Sequence, residues 1–156
     1  MTKVVIRPAV VGDAEAIGEM ARDFAAYLQS LGDSVTYRLT PERIRADGFG
    51  PSPAFSGLIA EEGGEPQGYL LYHPGYDSDL ARRFLMVCDL FVREAGRRRG
   101  AGRALMQAAM ADCRAMGGCG LLWSVFKPNR TALAFYRSLG AEVVDQLDFM
   151  WWPSEA

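Results

Sequence analysis

The chain has 156 residues, of which 49% are hydrophobic and 23% charged, and its net charge at pH 7 is −2. This length suits a single domain, which we expect to span residues 1–156, and the acidic balance argues against a nucleic-acid-binding protein. Three cysteines without a CxxC pair, together with a single histidine, predict neither a zinc site nor a disulfide framework.

The chain begins with a predicted strand and a long helix. Residues 3–7 (KVVIR) alternate in polarity and predict a strand that Pro8 ends. Residues 11–32 carry apolar side chains at helical spacing, with Asp13 suited to the N-cap and Gly32 to the C-terminal stop.

A short helix and a hairpin follow. Thr40 and Pro41 have the residue types that favour the N-cap and the first position of a helix. Two apolar runs, residues 54–62 and 67–76, flank Gly63-Gly64 and predict two strands joined by a tight turn.

The second half of the chain alternates strands with helices. Residues 84–92 (FLMVCDLFV) are apolar on both faces except at Asp89, which predicts a central strand. The remaining predicted elements are a helix over 101–118, a strand over 120–126, a helix over 130–140 capped by Asn129, and one or two closing strands over 141–152. This order predicts one α/β domain with a mixed sheet. No apolar run approaches the ~20 residues that span a bilayer, and the N-terminus lacks a signal-peptide core, so we expect a cytoplasmic protein without a membrane partner.

The stretch GRRRGAGRAL, residues 96–105, joins the central strand to the helix that follows it. The first turn of a helix offers unpaired N–H groups and a positive dipole end, which favour an anion. Gly100 and Gly102 let a phosphate approach the backbone, and arginine side chains grip phosphate oxygens. The spacing fits neither the P-loop nor the dinucleotide-binding pattern.

The run Arg97-Arg98-Arg99-Gly100-Ala101-Gly102 reads as [R/Q]xxGx[G/A] and resembles the pyrophosphate loop of the GNAT N-acetyltransferases. Leu90-Phe91-Val92 resembles the splayed strand of that family, and NRTALAFYRSLGA its second signature, with Asn129 and Tyr136. Over nearly the whole chain, VIRPAVVGD, LTPERIRADGFG and CDLFV are similar to the spermidine/spermine-type diamine acetyltransferases.

The resemblance implies a GNAT fold, a mostly antiparallel sheet of about six or seven strands with about four helices, and a homodimer. It implies acetyl-CoA as cosubstrate, with the amides of Arg98, Arg99, Gly100, Ala101 and Gly102 on the pyrophosphate and with charge from Arg97 and Arg103. It also implies that the strand at Leu90, Phe91 and Val92 pairs with pantetheine through the backbone of Leu90 and Val92, and that Asn129 contacts the same arm. Tyr136 would be the general acid that protonates the thiolate. From the residues alone, Asn129 also suits a plain N-cap and Tyr136 a core aromatic.

The sequence departs from the family pattern at two places. Arg98 stands where the loop usually has glycine, and we expect its N–H to serve equally well. Cys88 stands where the diamine branch has a glutamate that acts as base through water. The base is then a water chain, Asp89, His73 or Glu61, and strand alternation directs Asp89 to the other face unless a bulge intervenes.

The sequence therefore predicts an acetyl-CoA-dependent N-acetyltransferase that acts on a small diamine, polyamine or amino-acid-like amine by direct attack. The alternatives are a protein or peptide N-acetyltransferase and a non-catalytic acyl-CoA-binding sensor. The ending FMWWP differs from the glycine-tryptophan ending of the branch, and its two tryptophans suit a dimer interface.

Overall fold

The computed structural model describes residues 3–154. Within these residues one sheet and four α-helices form the molecule. The strands are β1 (Val4–Pro8), β2 (Ser56–Glu62), β3 (Glu65–Asp77), β4 (Arg82–Val92) and β5 (Leu121–Leu122), and the helices are α1 (Ala14–Ser30), α2 (Pro41–Phe49), α3 (Ala101–Ala115) and α4 (Arg130–Ser138). The strands lie in chain order, antiparallel except for the parallel β4–β5 pair. The predicted α/β fold with a mixed, mostly antiparallel sheet is confirmed.

Local sequence signals set most element boundaries. The hydroxyl of Thr40 accepts from the N–H of Arg43, so it caps α2 as predicted, and Pro41 is the first helical residue. Gly32, one residue beyond the C-cap of α1, has φ of 94°, a conformation that glycine adopts without strain. Gly63 and Gly64 both have positive φ in the β2–β3 turn, which matches the twist of a two-residue hairpin.

Asp13 precedes α1 but does not cap it with its side chain. Its two carboxylate oxygens accept from the guanidinium of Arg7 at 2.8 Å each, and Oδ2 also accepts from the N–H of Val10. Arg7 also donates to Glu61 at 2.9 Å. The charge-assisted bonds hold the pKa of Asp13 below its usual range. The predicted capping role of Asp13 is thus replaced by a link between β1, β2 and the start of α1.

The sheet separates two apolar clusters. On one face Tyr69 and Leu71 of β3 pack with α1 and α2, and on the other face Leu70 packs with α3. Successive strand residues point to opposite faces, so the almost fully buried run Tyr69-Leu70-Leu71 serves both clusters. This double burial explains why β3 reads as a continuous apolar stretch.

The strand count is five within residues 3–154, fewer than the six or seven expected. The strand predicted over 120–126 is paired only at Leu121 and Leu122, and the closing strands over 141–152 do not form. A strand forms beside another strand with which it can exchange hydrogen bonds. β5 has only two residues, too few for the 141–152 segment to pair with. The apolar side chains of the 141–152 segment are accordingly exposed.

None of the four described helices is long and apolar enough to span a bilayer.

We expect Leu70→Ala to lower the free energy of unfolding by about 2–5 kcal/mol, because it removes a fully buried side chain from the α3 cluster. The same change at Leu80, which is 62% exposed in the β3–β4 turn, is expected to stay within about 0.5 kcal/mol. Urea unfolding of the two variants gives both values. Equal losses would contradict the assignment of Leu70 to the core.

Candidate active site

A β-bulge in β4 sets the geometry of the site. Leu71 lies opposite Asp89 and Tyr72 opposite Val87, so Cys88 is an extra residue without a partner in the β3–β4 register. Val87 packs in the cluster on the α3 face. Asp89 accepts a hydrogen bond from Tyr69, which belongs to the cluster on the α1 face. The bulge therefore places Asp89 on the α1 face. Unbroken alternation would have placed it on the α3 face with Val87.

A pocket opens where β4 and β5 part. The two strands pair only at Leu85–Leu121 and Met86–Leu122, next to the bulge, and the chain after β5 then leaves the sheet. The resulting gap holds a pocket of about 410 Å³. Its lining is Phe24, Leu28, Asp33, Val87, Cys88, Asp89, Leu90, Trp123, Ser124, Val125, Phe126, Asn129, Ala132 and Tyr136.

The edge of β4 along this gap presents backbone groups. The N–H of Arg93 donates to the carbonyl of Gln67. Hydrogen-bonded pairs alternate along an antiparallel ladder, so Phe91 forms the next hydrogen-bonded pair, with Tyr69 of β3. The intervening Leu90 and Val92 then direct their N–H and C=O groups away from β3, toward the gap. The side chain of Phe91 is buried in the core, where its ring lies 5.5 Å from that of Phe24.

The loop after β4 leaves a row of amides without internal partners. Arg98 and Gly100 both have positive φ, 67° and 82°, and Ala101 begins α3. Among the described residues 3–154, none accepts a hydrogen bond from the N–H groups of residues 98–102. These five donors lie at the start of a 15-residue helix, whose dipole adds positive potential there.

Three arginine side chains of this stretch are tied into the fold. The Nε of Arg97 donates to the Val92 carbonyl at 2.9 Å, and its guanidinium lies over the rings of Tyr27 and Phe91. Arg99 pairs with Glu62 at 2.5 Å, and Arg103 donates to the carbonyl of Ser138 at 3.3 Å. Their positive charge stays beside the loop, and the backbone amides of residues 98–102 are available to an anion.

Glycine is required at positions 100 and 102 of the loop for different reasons. A Cβ at Gly100 would meet nothing within 4 Å, so only its positive φ calls for glycine. A Cβ at Gly102 would lie 3.2 Å from the ring of Phe135. Gly102 thus permits the close approach of α3 and α4, a requirement of packing that the sequence did not reveal. Ala101, 1% exposed, also belongs to the core.

Asn129 and Tyr136 both reach the pocket from α4. The Oδ1 of Asn129 accepts from the N–H of Ala132 and from the hydroxyl of Tyr27, each at 3.2 Å, so the predicted N-cap is present and tied to α1. The ring of Tyr136 packs 4.9 Å from that of Trp123. Burial, followed by the negative charge of Asp89, raises the pKa of Tyr136 to about 12. Its hydroxyl is therefore protonated at neutral pH.

Of the three side chains considered as a base, Asp89 lines the pocket and the other two do not. Glu61 is paired with Arg7 on the far side of β3, and the Nδ1 of His73 lies 3.0 Å from the carbonyl oxygen of Pro74. Burial raises the pKa of Asp89 to about 6, although the hydrogen bond from Tyr69 opposes that rise. The sequence signal for Asp89 was its position as the acidic residue of an otherwise apolar strand. The sequence contained no signal for the bulge.

A further cavity, of about 310 Å³, lies between α2 and the sheet. Its polar groups include Tyr72, whose hydroxyl donates to Asp112 at 2.7 Å. None of the predicted site residues lines it.

The model of the acetyltransferase (GNAT) family matches residues 20–141. The chain belongs to this family. It is 34% identical to thialysine N-epsilon-acetyltransferase of Bos taurus over 91% of this chain and 86% of that protein. It is 28% identical to spermidine/spermine N(1)-acetyltransferase-like protein 1 of Homo sapiens over 87% of this chain and 20% of that protein. The solved structure of a tetramutant protein of Bacillus halodurans superposes with a TM-score of 0.79 at 24% identity, covering 96% of this chain and 99% of that one.

The predicted membership of the GNAT family, and its resemblance to the spermidine/spermine-type branch, are confirmed. The Bacillus halodurans structure confirms the fold. As a GNAT protein the chain is an acetyltransferase, and the pocket between β4 and the segment after β5 is its candidate active site.

Proposed function

We propose that this chain is an acetyl-CoA-dependent N-acetyltransferase that acts on the primary amine of a small molecule, a diamine, polyamine or amino-acid-like amine. One observation carries the proposal. A protonated phenol, Tyr136, and a carboxylate, Asp89, line one pocket beside β4, and the same strand leads into the loop whose amides at 98–102 have no partner among the described residues.

The donor set fits the cosubstrate. N–H groups at a helix N-terminus suit a pyrophosphate, and residues Arg98, Arg99, Gly100, Ala101 and Gly102 supply five of them. The backbone edge at Leu90 and Val92 offers N–H donors and the carbonyl of Leu90 to the amide groups of pantetheine, while the carbonyl of Val92 already accepts from Arg97. Asn129 lies further along the same pocket. Acetyl-CoA, when bound, supplies an activated acetyl thioester.

Tyr136 is the proposed general acid. Its hydroxyl holds a proton at neutral pH and lines the pocket, so it can donate to the sulfur as the thiolate leaves. The Trp123 ring fixes the orientation of the phenol. Cys88 also lines the pocket, but burial raises the pKa of its thiol, and the thiol rather than the nucleophilic thiolate predominates. Direct attack by the amine is therefore favoured over an acyl-cysteine route.

The pocket suits a cationic acceptor. Asp33 and Asp89 are its charged residues, and within the described chain its lining contains no lysine, arginine or histidine. The Bos taurus relative is a thialysine acetyltransferase by name, and a lysine-like side-chain amine fits the same description. A peptide is the second candidate acceptor, and acetylation of a peptide amine in preference to a small amine would distinguish it.

All three cysteines are free thiols, which suits the reducing cytoplasm.

We expect Tyr136→Phe to lower kcat about 100-fold or more, because the phenol proton is lost while the ring and its packing against Trp123 remain. Calorimetric titration with CoA should give an affinity within about twofold of the wild type. The assay is thiol release from acetyl-CoA over a panel of diamines, polyamines, lysine analogues and peptides. Unchanged turnover would remove Tyr136 from the mechanism. CoA binding without thiol release from any amine would instead favour an acyl-CoA sensor.

We expect Gly100→Val to weaken CoA binding about tenfold or more, because a β-branched residue disfavours the φ of 82° that orients the loop amides. Gly117→Val is the matched control. Gly117 has φ of 76° and open space at its Cβ, but it lies at the opposite end of α3. Calorimetry should show a loss of affinity for Gly100→Val alone. An equal loss in both variants would mean that general destabilisation, and not the amide row, is responsible.

We also propose that the exposed apolar segment 141–152 packs against a second copy of the chain. Phe149, Met150, Trp151 and Trp152 are each at least 76% exposed, an apolar surface that monomers rarely leave open. Sedimentation should give about twice the chain mass of 17.1 kDa. We expect the double change Trp151→Ser and Trp152→Ser to shift the equilibrium toward monomer. Leu80→Ser, at another exposed apolar position, should leave it unchanged. A monomeric wild-type protein would refute the dimer.

A further inference from the structure

We infer that Asp89 is the group that takes the proton from the acceptor amine, and that Tyr69 is the residue that positions it. This inference rests on the proposed function. It assigns the base, for which the sequence left several candidates open.

The β4 bulge places the carboxylate beside Tyr69. Because Cys88 is the extra residue, Asp89 leaves the face of Val87 for that of Tyr69, which donates a hydrogen bond to it, and Asp89 also lines the pocket that Tyr136 lines. Both residues line this pocket, and the negative charge of Asp89 adds to burial in raising the pKa of Tyr136. A base and an acid at one pocket are the two functions that an acyl transfer from thioester to ammonium requires.

Tyr69 holds the carboxylate in place. Its hydroxyl donates to Oδ2 of Asp89 at 2.5 Å, and its ring is fully buried. An ionised carboxylate has about four acceptor sites, so one short bond fixes its orientation and leaves capacity for an ammonium group. Since Tyr69 is rigidly packed, the carboxylate cannot swing away from the pocket without breaking this bond.

Within residues 3–154, no cationic side chain lines the pocket beside the carboxylate. The titratable groups around it are Tyr69 from β3, Cys88 from β4, Tyr136 from α4, and Asp33 in the loop after α1, where Tyr37 faces Tyr69. None is a cation, and α1 contributes the apolar Phe24 and Leu28. An ammonium substrate would therefore be the counterion of Asp89. A group with a pKa of about 6 is ionised at pH 7 and can accept a proton.

The proton balance closes with these two residues. The ammonium gives one proton to Asp89, and the free amine forms the new N–C bond as the C–S bond breaks. Tyr136 donates a proton to the sulfur and regains one from the nitrogen as the amide forms. Asp89 releases its proton to water. The net result is one amide, one thiol and one proton for each ammonium consumed.

The test is the pH dependence of kcat/KM for 1,4-diaminobutane, a probe that satisfies the proposed acceptor class. We expect the wild type to show a break near pH 6, below which activity falls as Asp89 is protonated. Asp89→Asn should lose this break and lower kcat/KM about 100-fold or more at pH 7. Asp23→Asn, an exposed site on α1, removes the same charge and should retain both the break and the rate within about twofold.

Tyr69→Phe tests the positioning role. The hydrogen bond from Tyr69 favours the ionised carboxylate, so its loss should raise the pKa of Asp89 and move the break upward by about one pH unit. A purely structural role would lower stability without moving the break. Thermal unfolding and acetyl-CoA affinity of each variant check the fold. If Asp89→Asn does not fold, the shift in Tyr69→Phe decides the question.

A break near pH 6 that persists in Asp89→Asn would overturn the inference, whatever the loss of rate, because another group would then be titrating. An unmoved break in Tyr69→Phe would overturn the positioning role. A wild-type protein that binds acetyl-CoA but acetylates no amine of the panel would overturn the proposed function itself, and the role of Asp89 with it.

Discussion

The extra residue at Cys88 is the constraint on which both the shape and the chemistry of the site depend. In an unbroken ladder Asp89 would share the face of Val87 and enter the apolar cluster beneath α3. With the bulge it lies on the α1 face, where Tyr69 donates a hydrogen bond to it, and it lines the pocket that Tyr136 lines from the α3 cluster. The pairing of β4 with β5 also stops beside the bulge, at Met86, and the pocket begins there. The inserted residue thus lies where the sheet opens, and it puts the carboxylate at that opening within reach of Tyr69.

This arrangement costs stability. The pKa of Asp89 rises from an ordinary value near 3.8 to about 6, so the folded protein binds this proton more tightly than the unfolded chain does. By linkage, stability falls as pH rises between these two values, in total by about 3 kcal/mol, and does not change further above pH 6. The hydrogen bond from Tyr69 keeps the loss from being larger. A substrate ammonium would offset part of it by pairing with the carboxylate.

The parts of this fold that the sequence predicts are those decided within a few residues. Thr40 and Asn129 cap their helices because a cap needs only the N–H three residues ahead. The closing segment shows the opposite case. Its apolar residues after Gly140 have the composition of a strand, but in the described chain β5, with two residues, is too short to pair with them. The bulge at Cys88 likewise depends on the register with Leu71 and Tyr72, which lie on another strand.

The arginine-rich loop shows what its side chains do within the fold. The sequence predicts that backbone amides bind the pyrophosphate and that arginines add charge, and in the structure Arg97, Arg99 and Arg103 are each bonded to other parts of the protein. Arg97 fixes the end of β4 by its bond to the Val92 carbonyl and by its stacking on Tyr27. Arg98 accepts a left-handed conformation that costs a non-glycine residue about 1–2 kcal/mol. That strain is consistent with a loop whose shape the surrounding contacts hold. The side chains of Arg97, Arg99 and Arg103 then hold the loop in place and supply a positive field beside the amides of residues 98–102.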